Sequence, residues 1–196
     1  MFPSHDLARD NFIIGLWTGL RVSDFLSRLN IDNIKDDIIE IQTQKTKTNV
    51  AIPLHPMIQE TLNKRLGMLP SKISDQKFNK HIKKICEQVG INKDTEGYLE
   101  KKITLTQNGV KKRVKRKVLG IHPKYKLVSS HICRRSFTTN LYGKIPNYVL
   151  QGIGGWSTER MMLRYLKRTS LENAKVLKAY WDKEYAPKKI EEPKNK

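Results

Sequence analysis

Cysteine is nearly missing from this chain. Only Cys86 and Cys133 occur in 196 residues, far apart and with no C-x-x-C, which excludes a disulfide framework and a cysteine-rich zinc module. No apolar run approaches the roughly 18 residues that a membrane span requires. The opening MFPSHDLARDN lacks the hydrophobic segment of a secretory leader. There is no GxxxxGK[ST] loop to cradle a nucleotide. The five histidines, His5, His55, His81, His122 and His131, show neither HxxxH nor HxH spacing, so no metal or other cofactor is expected. Asp32, Asp36, Asp37 and Glu40 sit beside a turn and read as solvated charge rather than a two-metal cluster. Negative charge itself is short: 19 acidic residues face 38 basic ones, a net charge of +19. Such an excess is hard to hold on one globule unless a polyanion is the working partner. A soluble, cytoplasmic protein is the expectation, and its 38% hydrophobic residues suffice for a core.

Helical periodicity marks residues 7–17, through Phe12, Ile13, Leu16 and Trp17, and resumes after Gly19 with Ser23 as an N-cap. DIIEIQTQ (37–44) and TNVAIPL (48–54) read as two β-branched strands of a hairpin with Lys45 at its tip. Helices are predicted over 56–69 and 74–89, the second with Phe78, Ile82, Ile85 and Val89 on one stripe and Gly90 as its stop. A second hairpin is predicted over 100–118, turning at Asn108-Gly109. Its second strand carries Lys111, Lys112, Arg113, Lys115, Arg116 and Lys117, interrupted only by Val114. DNA phosphates would explain this run better than solvent does, although charge runs are often merely solvated. Further helices are expected from His131 to Leu141, around Tyr148 to Ile153, at Tyr165, and from Leu171 to about Tyr185, followed by a disordered charged tail at 187–196. No internal repeat is evident. The expected fold class is α+β, predominantly helical with a small antiparallel sheet.

Each chemical candidate has a plain alternative when taken alone. Arg21 can be a salt-bridging arginine and Lys45 a solvated turn lysine. His131 and Arg134 share a helix face, as many surface pairs do. Trp156 can be core, and Tyr165 can pack on Met161 and Met162. As a series, TGLRVSD (18–24), QKTKTNVAIPL (44–54), SSHICRRSFTTNLY (129–142) and GGWSTERMMLRYLK (154–167) resembles the tyrosine recombinase, or phage integrase, family in residue type, order and spacing. The resemblance spans most of the chain, and the basic hairpin and the His-Arg segment look like those of integrases of Bacteroidetes mobile elements. It implies Arg21, Lys45, His131, Arg134, Trp156 and Tyr165 as the catalytic set, with Asp24 holding their geometry from behind or standing as a helix N-terminal charge. Trp156 occupies a position where many members carry His.

Chemistry gives each member a role. A tyrosine phenol, with a reference pKa near 10, is ionised in only about one molecule per thousand at pH 7, so nearby cations must favour the phenolate. Two arginines can clamp the non-bridging oxygens of a phosphate through forked donors, which suits Arg21 and Arg134. A deoxyribose oxygen leaves poorly without a proton, and Lys45 on a hairpin tip can supply one. His131 suits moving the tyrosine proton or orienting the phosphate. Trp156 has only an indole N–H and can donate without taking a proton.

The resemblance implies site-specific DNA recombination through a 3′-phosphotyrosyl intermediate, with double-stranded DNA and a tetrameric synapse of identical subunits as partners. It leaves room for accessory DNA-bending or directionality factors. Residues 1–186 are expected to be the catalytic domain alone, with the family's core-binding domain not included. A DNA-binding module without effective catalysis, or a type IB topoisomerase-like relaxing enzyme, are the alternatives.

Overall fold

The computed structural model describes residues 3–107, 110–166 and 169–185. The first apolar stripe folds as α1 (Pro3–Thr18), which buries Ala8 and Ile14 and is closed by Gly19 at φ 63°. A side chain at Gly19 would be strained in that conformation and would also sit 2.5 Å from the Phe137 ring, so both backbone and packing require glycine here. The helix predicted after it is a single π turn, Asp24–Arg28, in which Leu29 N–H donates to the Asp24 carbonyl at 2.9 Å. The Ser23 hydroxyl makes no cap bond, and Phe25 and Leu26 are pulled into the core.

The hairpin around Lys45 is present and gains an edge strand. β1 (Ile34–Lys35), β2 (Ile38–Gln42) and β3 (Asn49–Pro53) form an antiparallel sheet in that order. Ile39 pairs with Ile52 and Ile41 with Val50, so the period-2 pattern sends all four to one buried face. Next comes α2 (Pro56–Lys64), shorter than predicted because Leu66 and Gly67 both take positive φ and end it. In α3 (Asp75–Gln88) the Ser74 hydroxyl caps Lys77 N–H, and Phe78, Ile82 and Ile85 are buried on one stripe. Each such side chain contributes about 1.5–3 kcal/mol of burial.

The second hairpin is longer than predicted: β4 (Asp94–Gln107) and β5 (Val110–Pro123) pair along their whole length, from Asp94 opposite Pro123 to Gln107 opposite Val110. Fourteen residues per strand make a ribbon about 45 Å long. Its base rests on α4 (Lys124–Leu127), where Leu127 fills the space that a side chain at Gly97 would take. The predicted Asn108-Gly109 turn lies outside the described residues.

α5 (His131–Leu141), α6 (Asn147–Ile153) and α7 (Glu159–Leu163) follow, then α8 (Ser170–Glu184). Thr169 and Glu172 form a capping box at the start of α8, whose residues are all exposed. The tail predicted at 187–196 lies outside the described residues.

Two apolar clusters result. The larger joins α1, the π turn, the first sheet, α2, α3 and Cys133 of α5. The smaller joins Phe137 of α5 to Leu150, Trp156 and Met162, with Tyr165 packed against it. Arg134 stands on α5 between Cys133 and Phe137, at the seam.

Candidate active site

Arg134 is 2% exposed, and a buried guanidinium needs partners. Its Nη1 donates to the Gly19 carbonyl at 2.7 Å and its Nη2 to the Gly154 carbonyl at 2.9 Å. The fork therefore ties the loop after α1 to the loop after α6. Its carbon centre lies 4.1 Å from the Trp156 ring centroid and 5.2 Å from that of Tyr165, so two aromatic faces bear on the cation. Burial pushes the Arg134 pKa down, to about 10, and the Arg21 charge adds to this, while Tyr165 and Asp24 oppose it. The group is still a cation at neutral pH. At Gly154 the Trp156 ring lies where a Cβ would stand, which explains glycine beside the carbonyl that Arg134 grips.

Asp24 is fully buried, and its Oδ1 accepts from Gln44 N–H at 2.8 Å. The carboxylate thus anchors the base of the Lys45 turn, a partner that neither expected role included. It also opens the π turn, and its charge favours the Arg134 cation.

His131 opens α5, which is fixed from behind because Ser130 N–H donates to Asn79 Oδ1 of α3 at 2.7 Å. The expected helix around Tyr165 stops short of it: α7 ends at Leu163, and Tyr165 sits in the following turn, its N–H donating to the Met162 carbonyl at 2.9 Å. Met162 is buried, and the Tyr165 ring lies 5.5 Å from Trp156, which holds the half-buried phenol toward α5.

Arg21, Lys45, His131, Arg134 and Tyr165 line one cavity of about 170 Å³, together with Leu20, Val22, Ser23 and Ser130. Five of the six proposed catalytic side chains, from four separate stretches of sequence, are therefore brought together. Trp156 is not on the cavity wall; it is 4% exposed and lies behind Arg134 and Tyr165. Neither Ser23, which the sequence offers only as a helix cap, nor Ser130 stands out from the sequence as a site residue; their positions next to Asp24 and His131 are the available signal.

Arg21 Nη1, Arg134 Nε and Trp156 Nε1 are buried and have no hydrogen-bond partner among the described residues, and nor does Asp24 Oδ2. Each unsatisfied buried donor costs about 1–3 kcal/mol, so three around one site are a sizeable cost that an anion with several acceptor oxygens would offset. Among the described residues no three His, Cys, Asp or Glu side chains form a metal-binding cluster.

The remaining predicted positions lie on the ribbon. Lys112, Arg113, Lys115, Arg116 and Lys117 are exposed, and Lys111 takes its place in β5 opposite Thr106. The register adds Lys101 opposite Arg116 and Lys102 opposite Lys115. Among the described residues no helix is long and apolar enough to cross a membrane.

This architecture, a helical body with small antiparallel sheets, is the tyrosine recombinase catalytic fold. The chain belongs to the phage integrase family, whose model matches residues 7–172. Among solved structures it is similar to XerA recombinase, at 14% identity over 93% of this chain and 64% of that one, with a TM-score of 0.59. It is similar also to XerH site-specific recombinase bound to palindromic difH substrate in a post-cleavage complex, at 17% identity over 92% of this chain and 47% of that one, with a TM-score of 0.60. A lambda integrase dimer bound to a COC′ core site matches at 18% identity over 84% of this chain and 53% of that one, with a TM-score of 0.57. The chain spans about half to two thirds of the length of these structures. Curated proteins gave no match.

Proposed function

We propose that residues 1–186 form the catalytic domain of a cytoplasmic site-specific recombinase that cuts and rejoins double-stranded DNA at Tyr165. The observation that carries this reading is the single cavity shared by Arg21, Lys45, His131, Arg134 and Tyr165, with buried, unpartnered donors on Arg21 and Arg134. A phosphodiester presents two non-bridging oxygens. Arg21 and the free Nε of Arg134 donate to them, and the Gly19 and Gly154 carbonyls keep Arg134 in place while they do so.

The Tyr165 oxygen attacks phosphorus in line, and the bond to the 5′ oxygen breaks. His131 takes or relays the phenolic proton, and Lys45 protonates the departing oxygen. The product is a 3′-phosphotyrosyl link that a second 5′ hydroxyl reverses, so rejoining consumes no nucleotide. Trp156 supports Arg134 and Tyr165 from behind and has an indole N–H left to donate.

The ribbon is the second contact with DNA. Basic residues lie on both of its faces, Lys101, Lys112 and Arg116 on one and Lys102, Arg113, Lys115 and Lys117 on the other. Two cross-strand pairs set like charges directly opposite each other, which is unfavourable without a polyanion. A two-stranded ribbon fits the major groove, where phosphates flank both faces. The exposed α8 carries Leu171, Ala174, Leu177 and Trp181, the surface through which subunits associate on DNA. The XerH structure bound to its difH substrate and the lambda integrase structure bound to a COC′ core site support the choice of partner.

The test is incubation of the chain with a nicked suicide duplex of its own site. A detergent-stable protein–DNA adduct is expected, absent in Tyr165→Phe. Binding without any adduct would leave only a DNA-binding module. Joining of two DNA sites, rather than relaxation of one, separates recombination from topoisomerase-like action.

A further inference from the structure

The Lys45 turn is held by more than its strands. Thr43, the first residue beyond β2, is fully buried. Its backbone N–H donates to the Thr48 carbonyl at 2.9 Å, and its carbonyl accepts from Lys47 N–H at 3.0 Å, which closes the turn. Its hydroxyl lies 2.7 Å from the Thr46 hydroxyl and accepts from Thr48 N–H at 3.2 Å. The Thr46 Oγ1 in turn lies 3.5 Å from the Gly155 carbonyl, at the outer edge of hydrogen-bond range. A hydroxyl has one proton to give. Either hydroxyl can donate across the short contact, and the Thr43 hydroxyl also lies 3.2 Å from the Thr48 carbonyl. With Thr43 donating to Thr46, the arrangement the latch requires, the Thr46 proton is free for Gly155.

Gly155 belongs to the same turn as Gly154, whose carbonyl holds Arg134, and Trp156, whose ring backs Tyr165. Thr43 also packs there: its methyl group would lie 3.3 Å from a Cβ at Gly155. The turn that carries the lysine and the turn that backs the nucleophile thus meet through two threonines, both next or nearly next to Lys45 in sequence.

We propose that Thr43 and Thr46 are positioning residues for proton donation: their paired hydroxyls latch the Lys45 turn to the Gly154–Trp156 turn and so set the ammonium over the leaving oxygen. This rests on the reading of Lys45 as the general acid. The latch acts in one step alone. As the Tyr165 oxygen bonds to phosphorus and the bond from phosphorus to the 5′ oxygen breaks, the electron pair stays on that oxygen and the proton comes from Lys45 Nζ.

Replacing the bridging 5′ oxygen with sulfur isolates that step, because a thiolate leaves without a proton. The full chain, Thr43→Val, Thr46→Val and Lys45→Ala are assayed for adduct formation on matched oxygen and sulfur suicide duplexes, with thermal melts run alongside. Valine keeps the shape of threonine and removes the hydroxyl. The expected result is that each valine variant slows cleavage of the oxygen substrate by about tenfold or more while cleaving the sulfur substrate within about twofold of the unmodified chain, in the same pattern as Lys45→Ala. Thr46→Ser, which restores the hydroxyl, recovers the oxygen rate.

Equal loss on both substrates would mean that the threonines serve only the fold, and no loss on oxygen would mean that they position nothing; either result overturns the latch. If Lys45→Ala itself is slow on both substrates, it is the general-acid reading that fails, and the latch with it. That outcome is told apart by the lysine variant alone.

Discussion

Replacing Arg134 tests whether its guanidinium is structural as well as chemical. Methionine at 134 keeps an unbranched apolar chain and removes the fork, so the Gly19 and Gly154 carbonyls lose their partners, 2.7 and 2.9 Å away. A hydrogen bond to a charged group contributes about 1.5–3 kcal/mol. Two such bonds are therefore worth about 3–6 kcal/mol, and the cation–π contacts with Trp156 and Tyr165 add to this. Against the loss stands relief from desolvating a cation that is 2% exposed. A net destabilisation of about 2–4 kcal/mol follows. For a chain of this size that lowers Tm by about 4–16 °C. Lysine at 134 keeps the charge, but a single ammonium does not span both carbonyls, so its Tm falls between those of the parent and the methionine variant. Thermal unfolding followed by circular dichroism, without DNA, measures this directly. If Arg134→Met melted within about 2 °C of the parent while losing cleavage, the tie between the two loops would carry no stability and the reasoning above would be wrong.

Three further outcomes are expected. Trp156→Phe keeps an aromatic ring beneath Arg134 and removes the N–H; if that group reaches the phosphate in the transition state, adduct formation falls about 10- to 100-fold. A rate equal to the parent's would reduce Trp156 to a platform. Substituting Lys115 and Arg116 with Gln lowers the slope of log K against log salt for DNA binding by about 2, and an unchanged slope in a filter-binding or anisotropy titration would remove the ribbon from the interface. The His81 pKa is lowered from the ordinary 6.5, by burial first and then by His5, Lys84, Lys80 and Lys77. Its folded pKa is depressed, so the unfolded chain binds the proton first. Its contribution is full above about pH 7.5 and is lost as pH falls through 6.5 and below. The fall in Tm between pH 7.5 and 5 is therefore shallower in His81→Gln than in the parent, and equal falls would contradict the assignment.

What the sequence disclosed follows from the range of the forces involved. Ile39, Ile41, Val50 and Ile52 alternate, and alternation over five residues is a local signal, so the Lys45 hairpin was legible; the two-residue β1 beside it carries no period to read. The stripe through Phe78, Ile82 and Ile85 located α3 to within a residue, and the helix expected from Leu171 to about Tyr185 matches α8 to within a residue, although the Thr169–Glu172 capping box that starts it went unread. The π turn at Asp24–Arg28 reads locally as an ordinary helix because nothing nearby in sequence announces that the Asp24 side chain is engaged with Gln44, twenty residues away. In sequence Tyr165 reads as helical because Met161 and Met162 suggest helical spacing, whereas α7 ends at Leu163 and Tyr165 packs against the Trp156 cluster. The ribbon was recognised only where its strands alternate clearly; Glu96, Gly97 and Tyr98 near its base hid the rest. The proposed catalytic residues stand out as a set by resemblance, but their supports, the two carbonyls on Arg134 and the amide on Asp24, are backbone groups that carry no residue identity.

The ribbon begins at Asp94 and ends at Pro123, and these two residues face each other across the ladder. Thirty residues thus leave and re-enter the body at points one strand apart. Its length is free to change without moving a residue that lines the Tyr165 cavity, since a short turn would close the same gap. On the proposed reading, a lineage can lengthen, shorten or recharge this arm while the Tyr165 cavity stays fixed, so that grip on DNA evolves separately from cutting.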